Sequence, residues 1–179
     1  MDTFMEYMIK AKKTRAQIAR QILISFISTL VLILATLIFL VVAIKFPAIL
    51  TIWPMLMAVV IFFAYKLIIA YDVEYEYILT NGELDVDKIT NRKKRKRLIT
   101  VHAKTFTAFY VADKKDFSDK EKEFSRVIDA TVHSSSHTDY CAEFFKNGQK
   151  IKLIFNPTQK MIDIFKVFAP RVVGQKMEF

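Results

Sequence analysis

Residues 73–89 read VEYEYILTNGELDVDKI. Val73, Tyr75, Tyr77 and Leu79 alternate with Glu74, Glu76, Ile78 and Thr80. That period of two places one set on each face of a strand. Asn81–Gly82 follows, a pair that tolerates the positive φ angles of a two-residue hairpin turn. Leu84 and Val86 then resume the alternation. A β-hairpin is expected here, and it marks a change of regime: the pattern before Asp72 is different in kind.

Beyond the hairpin, RLITVHA (97–103) reads as a third strand, and KTFTAFYV (104–111) fits either a strand or a short helix. DKKDFSDKEKEF (113–124) is polar enough for a solvated loop or surface helix. SRVIDATV (125–132) reads as a strand and SSSHT (134–138) as a turn. DYCAEFFKNGQKIKLIF (139–155) is a second hairpin about Asn147–Gly148. NPTQKMIDIFKVFAPRVV (156–173) predicts a closing helix. Asn156 would cap it, Pro157 suits its first position, and Pro170 would stop it. Met161, Ile164, Phe165 and Phe168 give it one apolar face.

Upstream, the chain is apolar. Over its 179 residues the hydrophobic fraction is 53% and the mean hydropathy +0.25, and the apolar residues are concentrated. Residues 21–44 and 46–65 carry no charge. Each run approaches or exceeds the roughly 20 helical residues needed to cross a hydrocarbon core. The expectation is a transmembrane hairpin with spans of about 21–44 and 49–70. Pro47 breaks the first helix at the turn, and Trp53 suits the headgroup level. Lys66 can extend to the opposite interface along its own stem. The first run is too long for a cleavable signal h-region and has no small-residue cleavage site. Before it, Met1, Phe4, Met5, Met8 and Ile9 recur at helical spacing. Residues 1–20 are therefore read as a basic amphipathic segment, either an interfacial helix or a partly helical leader.

The net charge of +9 divides unevenly. Residues 1–20 carry +3, 21–71 carry +2 and 72–179 carry +4; without 92–97 the last segment is −2. A nearly neutral domain with one local basic run does not have the broad basic face of a nucleic-acid-binding domain. The positive-inside rule accommodates the charges better. Lys10, Lys12, Lys13, Arg15 and Arg20 precede the first span, Lys66 and the 92–97 run follow the second, and the connecting turn holds only Lys45. Both termini are expected on the cytoplasmic side of the cell membrane.

Antiparallel strands followed by one amphipathic helix resemble the pleckstrin-homology-like barrel, whose last helix plugs an open end. YEYILTNGELDVDKI, the basic run before RLITV, FNPTQKMIDIFKVFAPRVV and the opening MDTFMEY resemble uncharacterised bacterial membrane proteins with two spans before such a domain. The resemblance implies an α+β membrane protein: a two-helix transmembrane hairpin, then a cytoplasmic PH-like antiparallel β-barrel over 72–179 closed by a C-terminal helix. It implies no chemistry.

Candidate sites are few. His133, His137 and Cys141 have helical i, i+4, i+8 spacing, but they fall on a turn and a strand, which argues against a metal site. Ser134–Ser136, His137 and Asp139 hold the letters of a catalytic triad, yet real triads converge from distant chain positions. Glu74, Glu76, Asp85 and Asp87 are expected on a solvated hairpin face, and Tyr75, Tyr77, Phe144 and Phe155 in the core. With three glycines in the chain there is no phosphate-binding glycine loop. No catalytic residue, metal or cofactor is expected.

That leaves Arg92, Lys93, Lys94, Arg95, Lys96 and Arg97, read as a loop. Each cation near an anionic leaflet contributes about 1 kcal/mol, so six would hold a domain against lipid headgroups. The competing readings are a solvated loop, an acidic protein partner, and nucleic acid. The last is disfavoured because no aromatic residues interleave with the cations. Overall the sequence points to a non-enzymatic, membrane-anchored interaction or scaffold module, with self-association through the spans left open. Two alternatives stand beside it: an anionic-lipid-responsive regulator using 92–97, and a small channel or transporter subunit using Ser25, Ser28, Thr29 and Thr36.

Overall fold

The computed structural model describes residues 3–117, 123–132, 134 and 136–174. These fall into two compact units, divided between Lys12 and Lys13 and between Asp72 and Val73.

The helical unit contains α1 (Arg15–Ala43), a 3-10 turn (Pro47–Thr51) and α2 (Trp53–Ile69). α1 starts earlier than its apolar run because Thr14 caps it. The Thr14 hydroxyl accepts from the Gln17 N–H at 3.2 Å, and Gln17 Oε1 accepts from the Thr14 N–H at 2.9 Å. Such a reciprocal box satisfies two of the helix's orphan donors, and it draws Arg15 and Arg20 into the helix. Pro54 lies in the first turn of α2, where its missing N–H costs nothing. Gln21 Nε2 donates to the Ile68 carbonyl at 2.7 Å, and Lys13 lies 3.7 Å from Asp72. The hairpin thus returns the chain to where it entered. Among the described residues, Arg15–Ala43 and Pro47–Ile69 are the two helices long and apolar enough to cross a membrane. Their apolar side chains stay exposed, from Ile22 and Phe26 to Phe62 and Phe63.

The other unit begins with β1 (Phe4–Lys10), which is a strand and not the interfacial helix or leader that the spacing suggested. Seven residues are too few for the two periods to be told apart, and pairing decides the matter. β1 runs antiparallel to β2 (Val73–Thr80) from Phe4↔Thr80 to Lys10↔Glu74. Met5 and Tyr7 pack against the core, and Ile9 is buried in it. β3 (Glu83–Thr90) and β4 (Lys94–His102) complete an antiparallel sheet in the order β1-β2-β3-β4.

β5 (Phe106–Val111), β6 (Arg126–Asp129), β7 (Tyr140–Lys146) and β8 (Gln149–Phe155) form a second sheet in the order β5-β7-β8-β6. Its β6–β8 pair is parallel. Among the described residues these are two open four-stranded sheets, and no ladder joins them into the closed antiparallel barrel that was expected. The reason lies at the corner. After His102 the chain turns through a 3-10 segment, Ala103–Thr105, so β5 leaves β4 and pairs with β7 instead.

Both hairpin turns form as expected, with φ of 49° and 86° at Asn81 and Gly82 and of 52° and 76° at Asn147 and Gly148. At Gly82 a Cβ would also meet the Phe168 ring at 2.8 Å. That ring belongs to α3 (Gln159–Phe168), which sends Met161, Ile162 and Phe165 into the core. Phe165 lies 5.4–6.2 Å from the rings of Phe106, Phe109 and Phe155. Burying such a side chain is worth about 1.5–3 kcal/mol. The cap of α3 is Thr158, whose hydroxyl accepts from the Met161 N–H at 3.3 Å. Asn156, expected in that role, is buried and ties three segments together. Its Oδ1 accepts from Val132 N–H at 2.9 Å, and its Nδ2 donates to Thr138 O and to Asp139 Oδ1 at 3.0 and 2.6 Å.

Ile9→Ala separates the strand from a leader. Removing a buried isoleucine side chain is expected to cost about 2–4 kcal/mol, seen as a lower thermal midpoint of the full chain in detergent. A leader outside the fold would leave that midpoint unchanged.

Candidate functional site

The basic run is not a loop. Asn91 and Arg92 make the β3–β4 turn, with φ of 54° and 52°, and the Lys93 N–H donates to the Thr90 carbonyl at 3.2 Å. From Lys94 the run is strand, in the register Thr90↔Lys94, Ile89↔Arg95, Lys88↔Lys96 and Asp87↔Arg97. Strand alternation therefore divides the cations between two faces. A bulge decides which goes where. Val86 pairs with Ile99 and Asp87 with Arg97, leaving Leu98 as the extra residue. An extra residue reverses the facing of everything beyond it. Ile99 and Val101 point into the core, whereas Arg95 and Arg97 point out of it, towards the carboxylates of β2 and β3.

There the arginines are engaged. Arg95 reaches Glu76 Oε2 at 2.6 Å and Asp87 Oδ2 at 3.9 Å. Arg97 reaches Asp85 Oδ2 at 2.6 Å; its Nε donates to Asp87 Oδ1 and its second amino group to Asp87 Oδ2 at 3.1 Å. Thr100 donates to Asp85 at 2.5 Å. Arg92 makes one contact, Nε to Glu74 Oε1 at 3.3 Å. The four carboxylates are not a freely solvated face: the side chains of Glu76 and Asp87 are each 1% exposed beneath the guanidinium groups. Burial raises the Glu76 pKa, opposed by the Arg95 charge and aided by the Glu6 carboxyl and Asp87. The hydrogen bond to Asp87, ahead of the opposing effect of burial, raises that of Arg97.

The lysines are different. Lys93, Lys94 and Lys96 are exposed and Lys88 is half-buried. Among the described residues none of these four makes an ion pair. Of the four, Lys93 also lines a groove of about 530 Å³ on the arginine face, with Met8, Glu74, Ile89, Arg92 and Arg95.

A second polar cluster is buried on the other sheet. Tyr110 Oη donates to Glu143 Oε1 at 2.9 Å and lies 3.1 Å from Asp116 Oδ1. Lys152 Nζ is 3.3 Å from Asp116 with both side chains buried, and sits 4.3 Å over the Phe124 ring. Asp116 Oδ2 also accepts from the Asp113 N–H at 2.8 Å. Burial alone would raise the Asp116 carboxyl. The Asp113 N–H, the Lys152 charge, and hydrogen bonds from Tyr110 and Lys152 outweigh it and hold it below the usual range. This cluster pins the 113–117 segment to the sheet. Burial pushes the neighbouring Cys141 thiol up to about 12, so it carries no thiolate at neutral pH.

A family model described as a bacterial PH-like domain (DUF6106) matches residues 1–175. The chain belongs to that family. No curated protein and no solved structure matches it. PH-like domains are typically interaction domains without catalysis, and the match takes in β1 and both apolar helices as well as the two sheets.

The remaining candidates of this PH-like chain are dispersed. Lys10 ends β1, the Lys12 N–H bonds the Val132 carbonyl, Lys13 meets Asp72, and Arg15 and Arg20 lie exposed on α1. Trp53 packs against Phe39 at 4.5 Å, and Lys66 lies 4.7 Å over Phe62. Ser28 Oγ donates to the Ile24 carbonyl, Thr29 to Ser25 O and Thr36 to Leu32 O, all within α1. His133 and Ser135 lie outside the described residues. His137 Nδ1 meets Ser136 Oγ at 2.9 Å, but Asp139 is turned to Asn156, so it does not orient that imidazole. Among the described residues no group of metal-binding side chains converges. Two features went unread in the sequence. The E-x-E, D-x-D and R-x-R spacings at 74/76, 85/87 and 95/97 are a legible sign of ion pairs across one sheet face. The Tyr110–Asp116–Glu143–Lys152 cluster has no such local sign.

Two of the buried carboxylates, Glu76 and Asp116, should affect stability in opposite senses. Glu76 has a raised pKa in the fold, so its contribution is full below about pH 4.5, the unfolded value, and is lost as pH rises through the folded one. Glu76→Gln is expected to flatten that decline in a denaturant series across pH. Asp116 has a lowered pKa, so its contribution is present above about pH 3.8 and lost as pH falls through the folded value. Asp116→Asn, which removes the carboxylate 3.3 Å from the buried Lys152 ammonium, is expected to cost roughly 3 kcal/mol at neutral pH and to remove that acid-side loss.

Proposed function

We propose that the protein is an integral membrane protein in which α1 and α2 cross the bilayer as a hairpin. Both termini would then face the cytoplasm, where the PH-like unit serves as a non-enzymatic interaction module. The observation that carries this reading is the exposure of two long apolar helices inserted between paired strands. A water-soluble chain would have to leave that apolar surface in water, at a cost proportional to its area. Charge supports the orientation, since cations cluster before α1 and after α2 and only Lys45 lies between them. Trp53 at the start of α2 and Lys66 in its last turn suit opposite interfaces.

The absence of catalysis is supported by how the polar side chains are used. The buried carboxylates are committed to arginines, to Lys152 or, for Glu143, to Tyr110 and Lys150, the thiol is protonated, and His137 is not oriented by an acid. Three of the four hydroxyls that a pore reading would need are occupied by carbonyls of their own helix, as is common for Ser and Thr in apolar helices. This favours an anchor over a channel.

Two measurements test the reading. The chain is expected to stay with membranes through alkaline carbonate extraction. In intact cells, a thiol reagent that does not cross the bilayer is expected to label a cysteine placed at Lys45 but not one placed at Lys12. Release by carbonate would overturn the anchor; labelling at Lys12 and not at Lys45 would reverse the orientation.

A further inference from the structure

We propose that the β3–β4 end of the first sheet is a docking surface for an anionic lipid bilayer, and that Lys88, Lys93, Lys94 and Lys96 recognise it while the arginines do not. The proposal rests on the membrane reading above and assigns the contact within it.

Three independent observations point to it. The first is charge. Strand alternation and the Leu98 bulge put Arg95 and Arg97 against carboxylates, and Arg92 against Glu74. The lysines lie on the turn and on the opposite strand face, without ion pairs among the described residues. The second is unfavourable placement concentrated at this one end. Lys88 is directly opposite Lys96, a like-charge cross-strand pair that destabilises a sheet. An anionic surface would relieve that repulsion.

The third is position along the chain. The register runs Lys10↔Glu74, Val73↔Thr90 and Thr90↔Lys94, so the turn lies at the sheet end where β1 runs on towards α1 and β2 begins after α2. Only residues 11–14 and 70–72 intervene. The turn is thus at the end of the sheet that the chain joins directly to both apolar helices. A membrane supplies dense anionic phosphate at that place without any further partner, which favours it over a nucleic acid.

The experiment uses the full chain in nanodiscs, either of phosphatidylcholine alone or mixed with phosphatidylglycerol. Lysine acylation is read by mass spectrometry, with Lys160 and Lys166 as references. They lie on α3, whose Phe168 packs against Gly82 and His102 at the other end of the sheet. Phosphatidylglycerol is expected to slow acylation of Lys93, Lys94 and Lys96 by at least about tenfold, to leave the references unchanged, and to lose its effect in high salt. It is also expected to raise the thermal midpoint of the native chain but not that of a Lys88→Gln, Lys93→Gln, Lys94→Gln, Lys96→Gln variant. In phosphatidylcholine that variant should melt no lower than the native chain, because it has lost the like-charge pair.

Equal acylation in both discs, slowing that includes the references, or a phosphatidylglycerol effect retained by the variant would overturn the proposal. So would equal protection in phosphatidylcholine by added RNA, which would make the surface a nucleic-acid site. Failure of the chain to enter discs at all would instead defeat the membrane reading, so the two failures are distinct.

Discussion

The pairing of β1 with β2 is the constraint on which the rest of the molecule depends. Between Lys10 and Val73 the chain makes a complete excursion through α1 and α2, yet the two strands are hydrogen-bonded neighbours. Closing so long a connection carries an entropic cost, though one that grows only slowly with length. The helical hairpin meets much of it in advance. Its ends are held together by Gln21 against Ile68 and by Lys13 against Asp72, so both strands emerge from the same place. The β unit is consequently discontinuous in sequence: residues 72–179 alone would lack an edge strand and the side chains of Met5, Tyr7 and Ile9 that pack against the core.

This arrangement gives the charged sheet its meaning. Cross-strand pairs are the unit of sheet stabilisation, and on the outer face of β2, β3 and β4 those pairs are carboxylates and arginines. Such ion pairs with half-exposed arginines contribute modestly, but they set a positive charge against Glu76 and Asp87, which have almost no access to water. They also remove three of six cations from the reckoning of what the basic run can bind. A reading by charge count alone assigns six equivalent cations to the surface. Strand alternation separates arginines with structural partners from lysines that have none among the described residues, and the bulge at Leu98 decides which face each set takes.

The buried cluster on the second sheet shows the same economy by other means. Asp116, from the segment after β5, is held by Lys152 of β8, Tyr110 of β5 and the Asp113 backbone. A lysine that has lost nearly all solvent must keep its anion or shift its protonation. The 113–117 segment is thereby fastened by electrostatics as well as by the packing of Phe117.

What the sequence determined by itself was local. Alternation and Asn-Gly turns placed two hairpins, unbroken apolar runs placed two long helices, and an apolar stripe with flanking prolines placed α3, because each of these signals is written in residues close together in the chain. The E-x-E, D-x-D and R-x-R spacings were equally local and carried the ion pairs, once the strands were known to be neighbours. Only the tertiary structure decided the rest. It made residues 4–10 a strand, since a seven-residue segment satisfies either period until an edge is offered to it. It left the sheets open, since a 3-10 corner after His102 sent β5 to β7. It moved the cap of α3 to Thr158 and gave Asn156 to Val132, Thr138 and Asp139. It set the facing of the basic run by one unpaired residue, because in a strand the addition of a single residue exchanges the two faces.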